Sequence, residues 1–130
     1  MSSHTILFAE DSDFITQHVS QTLESEHGFE IETVTSASET RDALAELDFD
    51  CVVSTYELPD ETGIELAESI NGNGDEEMVP FVLFTGNPLE PLAEEALDAG
   101  VSAFVSKSSR ATGEMNVFAN RIRLAIAARE

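Results

Sequence analysis

The amino-acid sequence predicts an α/β fold in which five helices cover the two faces of a doubly wound, five-stranded parallel sheet. One observation is that most of the predicted strands are short apolar runs without alternation, which is typical of strands buried on both faces. A second is that these runs alternate along the chain with segments whose apolar residues recur at helical spacing. This order is typical of parallel strands joined by crossover helices. Because 130 residues suit one hydrophobic core, we predict a single domain over residues 1–130.

The predicted strands are residues 5–9, 31–35, 50–55, 79–84 and 101–107. The second is a β-branched run that includes glutamate, whereas the others are mostly apolar. The third strand ends at Thr55 and is followed by a loop that contains Pro59 and Gly63. Cys51, the one cysteine, lies inside this strand, so we predict a small buried side chain and no disulfide. Pro80 is compatible only with the start of the fourth strand because proline lacks the backbone donor.

The predicted helices are residues 13–26, 38–47, 64–70, 92–97 and a terminal helix that includes Met115. Their apolar faces are predicted from Phe14, Ile15, Val19 and Leu23, then Ala43, Leu44 and Leu47, Ile64, Leu66, Ala67 and Ile70, Leu92, Ala93, Ala96 and Leu97, and last Phe118, Ile122, Leu124 and Ala125. Ser12 or Asp13 can cap the first helix, and Gly28 follows its end. Ser38 and Glu39 open the second helix. Residues 71–74, Asn-Gly-Asn-Gly, predict a surface turn.

The chain is strongly acidic, with 26 Asp and Glu against 6 Lys and Arg and a formal net charge of −20. Since 42% of the residues are hydrophobic, we expect this acid to lie on a folded surface. Nucleic acid and anionic lipid bind clustered cations, and we predict that the chain binds neither. The composition resembles that of salt-adapted halophile proteins, in which salt screens the repulsion, and electrostatic steering of a partner is the alternative. The sequence contains no export signal or membrane span, which predicts a cytoplasmic protein.

Polar residues stand at the carboxyl ends of four predicted strands. Glu10 and Asp11 follow the first strand, Thr55 ends the third, Thr85 follows the fourth and Lys107 ends the fifth. Because the carboxyl ends of parallel strands meet at one edge of a sheet, we expect these residues to converge.

With this arrangement the chain resembles, over essentially its whole length, the receiver domain of two-component response regulators. That family has an acidic pair after the first strand, an aspartate at the end of the third, a Thr or Ser after the fourth and a Lys after the fifth. Pro59 and Gly63 match the loop that follows the aspartate, which puts Thr55 at the phosphoacceptor position. Phe104 matches the aromatic switch position, whereas Ser108 replaces the usual proline. The resemblance implies a flavodoxin-like strand order of 2-1-3-4-5.

The resemblance and Thr55 together imply a degenerate receiver. In the family the aspartate attacks a phosphohistidine and becomes an acyl phosphate, while the acidic pair holds Mg²⁺. A threonine hydroxyl cannot form an acyl phosphate, and the substitution removes one metal ligand. We therefore expect at most weak Mg²⁺ binding, by Glu10, Asp11 and the backbone carbonyl of Glu57, and no enzymatic activity. We also predict an inactive-like site in which the rotamer of Phe104 is free.

Other interpretations of the same residues stay open. Glu57 or Asp60 is a candidate for accepting phosphate in place of the missing aspartate, and Thr55 is a candidate for modification by another kinase. Asp11-Ser12-Asp13 satisfies the Asp-x-Asp motif of haloacid-dehalogenase-type phosphatases, although the loop with Pro59 and Gly63 argues against that family. Lys107 has a structural alternative, an ion pair with the acidic pair.

The resemblance implies partners of a particular kind. Receivers work with a histidine kinase or with other signalling domains, in the same or a separate chain, so the sequence is expected to be part of such a system and is a candidate fragment of a longer protein. The usual partner or homodimer surface is the face of the fourth helix, fifth strand and last helix. The resemblance places that face around Ala93, Ala96, Phe104, Phe118 and Ile122.

Overall fold

A computed structural model of the chain describes residues 4–71, 79–85, 90–106 and 119–127. The strands are β1 (Thr5–Ala9), β2 (Glu30–Val34), β3 (Cys51–Thr55), β4 (Phe81–Thr85) and β5 (Ala103–Ser106). The helices are α1 (Asp13–His27), α2 (Ala37–Glu46), α3 (Gly63–Asn71), α4 (Glu90–Asp98) and α5 (residues 119–127). Within these described ranges, no helix has both the length and the apolar character needed to cross a membrane.

The five strands form one parallel sheet in the order β2-β1-β3-β4-β5. Ala9 of β1 is in register with Ser54 of β3, and Thr55 is in register with Phe84 of β4. The chain winds outward in one direction from β1 and in the other from β3. In such a sheet the ligand crevice lies outside the carboxyl ends of the strands at this reversal. The predicted fold class and strand order are confirmed.

Two apolar cores lie on opposite faces of the sheet. One joins β-strand residues to α1 and α5, and includes Val19, Leu23 and Ile122. The other joins them to α2, α3 and α4, and includes Leu66 and Ala96. Strand β3 is buried along its whole length because its alternate side chains enter both cores, which explains its uninterrupted apolar sequence.

The lone cysteine behaves as predicted. Cys51 is fully buried in β3. Burial, assisted by the nearby charge of Asp50, raises the pKa of the Cys51 thiol above its usual range. The thiol is therefore protonated and a poor nucleophile, and the residue serves as a small core side chain.

Short polar side chains fix the helix starts. Ser12 accepts a hydrogen bond from the N–H of Ile15 at the start of α1, as predicted, and Gly28 ends this helix with a left-handed φ of 75°. The second helix begins earlier than predicted. Its N-cap is Ser36, which accepts from the N–H of Glu39 at 3.1 Å, so Ser38 lies inside the first turn and does not open the helix.

Four leucine and phenylalanine side chains that the spacing assigned to apolar faces are exposed. Phe14 is 80% exposed, Leu47 58%, Leu97 65% and Leu124 69%. Phe14 lies in the first turn of α1, where its ring stacks on His18 at 6.5 Å, and the next residue, Ile15, packs against the core instead. Leu47 is the C-cap of α2 and no longer has helical geometry. Helical spacing alone does not determine which terminal-turn residues extend beyond the sheet.

Asn71 was predicted to lie in a surface turn, and this prediction is wrong. Its side chain is buried, and its amide donates to the carbonyls of Val79 and Gly100 while its oxygen accepts from the N–H of Val79. Asn71 thereby ties the end of α3 to the approaches of β4 and β5. Residues 72–74, the rest of the predicted turn, lie outside the described residues.

Candidate functional site

Thr55 is buried at the carboxyl end of the central strand. Its side chain is 1% exposed. Strand pairing continues past it, because the N–H of Tyr56 donates to the carbonyl of Phe84 at 3.1 Å. On the other side, the hydroxyl of Ser54 donates to the carbonyl of Thr55 at 2.9 Å. Position 55 is therefore a closely packed point on the floor of the crevice.

The loop after β3 folds back against this strand. Glu57 and Thr62 form an antiparallel bridge, flanked by hydrogen bonds from Leu58 N–H to the carbonyl of Glu61 (3.1 Å) and from Gly63 N–H to the carbonyl of Tyr56 (2.6 Å). The carbonyl of Glu57 takes part in neither of these two bonds. The bridge therefore sets the orientation of the Glu57 backbone without using its carbonyl as an acceptor there.

Gly63 is required by the close approach of this loop. A Cβ at this position would lie 2.6 Å from the carbonyl oxygen of Thr55 and 2.7 Å from Cδ1 of Leu83. Both distances are shorter than a carbon atom tolerates, and one of them is to backbone. Gly63 helps to align this chain with the receiver family, and the reason for a glycine at this position is steric: a side chain would overlap the backbone of Thr55.

The acidic pair lies beside Thr55 at the adjacent strand end. Ala9 and Ser54 are the last residues in register between β1 and β3, so Glu10 and Thr55, which follow them, lie at the ends of two adjacent strands that are about 4.8 Å apart. Glu10 is 2% exposed, and its Oε2 accepts a hydrogen bond from the N–H of Ser12 at 3.1 Å. Asp11 is exposed. The sheet therefore brings a buried glutamate and the buried Thr55 together, with a second carboxylate at the rim.

The other predicted site residues are described in part or not at all. Thr85 ends β4 in register with Ser106, so its backbone reaches the same edge of the sheet. Phe104 lies in β5 in register with Leu83. The side chains of Thr85 and Phe104, and the whole of Lys107, lie outside the described residues, so their roles and the inactive-like state stay predictions.

Few donors are available for a metal ion. Among the described residues, no group of three or more His, Cys, Asp or Glu side chains is placed to hold one. The oxygen donors that the resemblance assigns to a metal are the carboxylates of Glu10 and Asp11 and the backbone carbonyl of Glu57. Mg²⁺ prefers near-octahedral oxygen coordination and usually keeps several waters, so two carboxylates and a carbonyl are compatible with Mg²⁺ but provide little negative charge.

Asp60, one of the alternative phosphate acceptors, is engaged elsewhere. Its carboxylate accepts hydrogen bonds from the N–H groups of Ala37 (2.9 Å) and Ser38 (3.0 Å) at the start of α2. The bond from Ala37, followed by that from Ser38, holds the pKa of Asp60 below its usual value. Sequence reasoning missed this contact, because no local pattern connects a loop carboxylate to a helix start 23 residues earlier.

The expected partner face has different exposed residues from those predicted. Ala96 and Ile122 are buried in the two cores and cannot form a surface. Among the side chains that the structure describes in α4 and α5, the large exposed apolar ones are Leu97 and Leu124, at 65% and 69%. Two exposed arginines, Arg121 and Arg123, lie on α5. The side chains of Ala93 and Phe104, and the whole of Phe118, lie outside the described residues.

Comparison with known proteins connects this arrangement to one family. The family model for the response regulator receiver domain matches residues 6–116. The chain is similar to the transcriptional regulatory protein FixJ of Azorhizobium caulinodans, with 33% identity over 98 residues that make up 75% of this chain and 45% of that protein. The chain thus spans less than half of this relative's length.

Solved structures share the fold. The chain is similar to the chemotaxis response regulator CheY4 of Vibrio cholerae, with a TM-score of 0.80, 22% identity and coverage of 92% of this chain and 99% of that one. It is also similar to a sensor protein from Polaromonas sp. JS666, with a TM-score of 0.85, 22% identity and coverage of 99% and 100%. At these identities the likeness establishes the fold alone.

Proposed function

Because the chain belongs to the response regulator receiver domain family, we propose that it is a receiver that transmits signals through protein contacts without aspartyl phosphorylation. The observation that carries the proposal is the threonine at the carboxyl end of β3, beside the acidic pair. An acyl phosphate requires a carboxylate nucleophile, and the hydroxyl of Thr55 is protonated at neutral pH. The proposal includes no catalytic activity of the chain's own.

The neighbouring groups do not substitute well for the missing aspartate. Asp60 is bonded to the start of α2, and Glu57 is an exposed side chain two residues along the loop. Modification of Thr55 by another kinase is disfavoured by burial, since a side chain with 1% exposure offers its hydroxyl to no external active site. These observations favour a receiver that works without phosphorylation over a phosphorelay through another residue.

We propose that any divalent cation binds weakly. Glu10, Asp11 and the backbone carbonyl of Glu57 would hold Mg²⁺, which would neutralise part of the acidic pair's charge. Two of these donors are oriented by the chain's own contacts: the carboxylate of Glu10 accepts from the N–H of Ser12, and the loop bridge orients the Glu57 backbone.

We propose that the partners are a histidine kinase or other signalling domains, and that a second copy binds the face of α4, β5 and α5. Leu97 on α4 and Leu124 on α5 are exposed apolar side chains that such a contact would bury. Exposed Glu94 and Glu95 on α4 are opposite in charge to Arg121 on α5, which favours pairing of α4 with α5 across two copies. Arg123 lies elsewhere, with its guanidinium 5.2 Å from the ring of Phe29. The acidic surface supports a location in a salt-rich cytoplasm and disfavours nucleic acid.

Beryllium fluoride tests the central proposal, because it forms a stable mimic of an acyl phosphate on an aspartate carboxylate. ¹⁹F NMR of the natural chain with Mg²⁺ and beryllium fluoride should show no protein-bound signal, and Thr55→Asp should show one. A bound signal on the natural chain that is retained in Glu10→Gln and lost in Glu57→Gln or Asp60→Asn would identify a substitute acceptor and overturn the proposal.

A further inference from the structure

The loop beside Thr55 is held to helix α2 by one carboxylate. Oδ1 of Asp60 accepts from the N–H of Ala37 and Oδ2 from the N–H of Ser38, at 2.9 and 3.0 Å. These donors belong to the first turn of α2, where backbone N–H groups have no partner within the helix. Ser36 already caps the next donor, the N–H of Glu39. Asp60 therefore supplies contacts that the helix's own cap does not.

A second contact fixes the same loop from the adjacent residue. The guanidinium of Arg41, also on α2, donates to both carboxylate oxygens of Glu61, at 3.1 and 2.7 Å, and to the hydroxyl of Ser69 on α3 at 3.1 Å. Arg41 is the only Lys or Arg in residues 1–106 of this acidic sequence. Two-point pairing of a guanidinium with a carboxylate fixes orientation as well as distance.

These two contacts hold the part of the loop that shapes the site. Asp60 and Glu61 form the turn of the antiparallel bridge between Glu57 and Thr62, and Gly63 closes that bridge against Tyr56. A shift of the turn toward or away from α2 therefore moves the backbone of Glu57. We define the α2 clamp as Asp60, Glu61 and Arg41 with the two N–H groups that Asp60 binds.

We propose that Asp60 is a positioning residue that couples the first turn of α2 to the loop beside Thr55. Through this clamp, α2 determines where the Glu57 carbonyl lies and so how well the acidic site accepts a divalent cation. The second part of this inference rests on the weak cation site proposed above. The competing explanation is that Asp60 is only a local cap, which stabilises α2 and leaves the loop unaffected.

Helix α2 offers a matched control for that explanation. The carboxylate of Glu39 accepts from the N–H and hydroxyl of Thr35, at 2.9 and 3.2 Å, and so also stabilises the start of α2, but it does not touch the loop. Asp60→Asn and Glu39→Gln each remove one negative charge near the same helix start. Only the first should loosen the loop.

The experiment is amide hydrogen exchange by NMR on the natural chain and both variants in high salt, with Mg²⁺ affinity measured on the same samples. In Asp60→Asn, exchange of the loop amides of Leu58 and Gly63 should quicken about 5-fold to 10-fold, the effect of losing one hydrogen bond's net contribution. Glu39→Gln should leave both loop amides unchanged. Protected amides of β3 confirm that each variant is folded.

The outcomes separate the two proposals. A loss of Mg²⁺ affinity of about 3-fold or more in Asp60→Asn alone, with faster loop exchange, supports the positioning role. Unchanged exchange at Leu58 and Gly63, with faster exchange only at Ala37 and Ser38, would show that Asp60 is only a local cap of α2. That result would overturn the positioning role. No Mg²⁺ binding by the natural chain overturns the cation site itself, while the loop amides still decide whether the clamp exists.

Discussion

Restoring an aspartate at position 55 should destabilise the free protein. Thr55 is 1% exposed, and the adjacent strand β1 is followed directly by Glu10, which is 2% exposed. Thr55→Asp therefore adds a second carboxylate to a buried acidic site, where desolvation and like charge both oppose ionisation. Thr55→Asn is the matched control, because asparagine has nearly the same shape as aspartate but carries no charge.

The expected difference between the two variants follows from this burial. An unpaired buried polar group costs about 1–3 kcal/mol and a charge costs more, so we expect the Asp variant to be about 2 kcal/mol less stable than the Asn variant without metal. For a domain of this size that corresponds to a Tm lower by roughly 6–12 °C. Urea unfolding in high salt with a chelator measures the difference directly.

Mg²⁺ should then remove the difference. A ligand that binds only the folded state contributes about 2.7 kcal/mol at 100 times its Kd, so a restored receiver site should recover its stability at high Mg²⁺. Equal stability of the Asp and Asn variants in chelator would refute the buried acidic site. Equal stabilisation of both variants by Mg²⁺ would show that the cation does not bind at position 55.

Three further perturbations test the loop, the clamp and the partner face. Gly63→Ala should cost about 1–3 kcal/mol in urea unfolding because its Cβ would overlap a backbone oxygen, and a loss under about 0.5 kcal/mol would contradict that packing. Asp60 has a pKa lowered first by the N–H of Ala37, so its stabilising contribution is present above the ordinary aspartate pKa of about 4 and is lost as the pH falls through the lowered value. Asp60→Asn should flatten the acid side of the stability profile, and an unchanged profile would argue against the bond. Leu97→Asp should weaken self-association about 10-fold or more in sedimentation while Leu47→Asp, on another surface, leaves it intact, and a natural chain that stays monomeric would exclude the dimer.

Buried strands were the easiest part of the fold to predict. Strand β1 begins and ends where its apolar run does, because a strand buried on both faces has little freedom in its composition. The register of position 55 was equally accessible, since Pro59 and Gly63 follow it at characteristic distances and Gly63 has a steric cause beside Thr55.

Helix ends and long-range contacts were not accessible in the same way. Phe14 and Leu47 fit helical spacing but lie in terminal positions that extend past the core. The contact of Asp60 with α2 depends on the three-dimensional approach of two loops, and in a sequence with 26 acidic residues nothing local distinguishes that carboxylate from the others. Asn71 was misassigned for the same reason, because its partners lie across a connection that the Asn-Gly pattern does not reveal.

The most direct test of the account is intact mass after incubation with acetyl phosphate and Mg²⁺ in high salt, run side by side on the natural chain and on Thr55→Asp. We expect only the Asp variant to gain a phosphoryl group, and hydroxylamine to remove it, as it does from an acyl phosphate. This result would mean that the site is a receiver site whose natural residue does not take phosphate. A hydroxylamine-sensitive phosphoryl group on the natural chain would contradict the account, because another carboxylate would then serve as the acceptor.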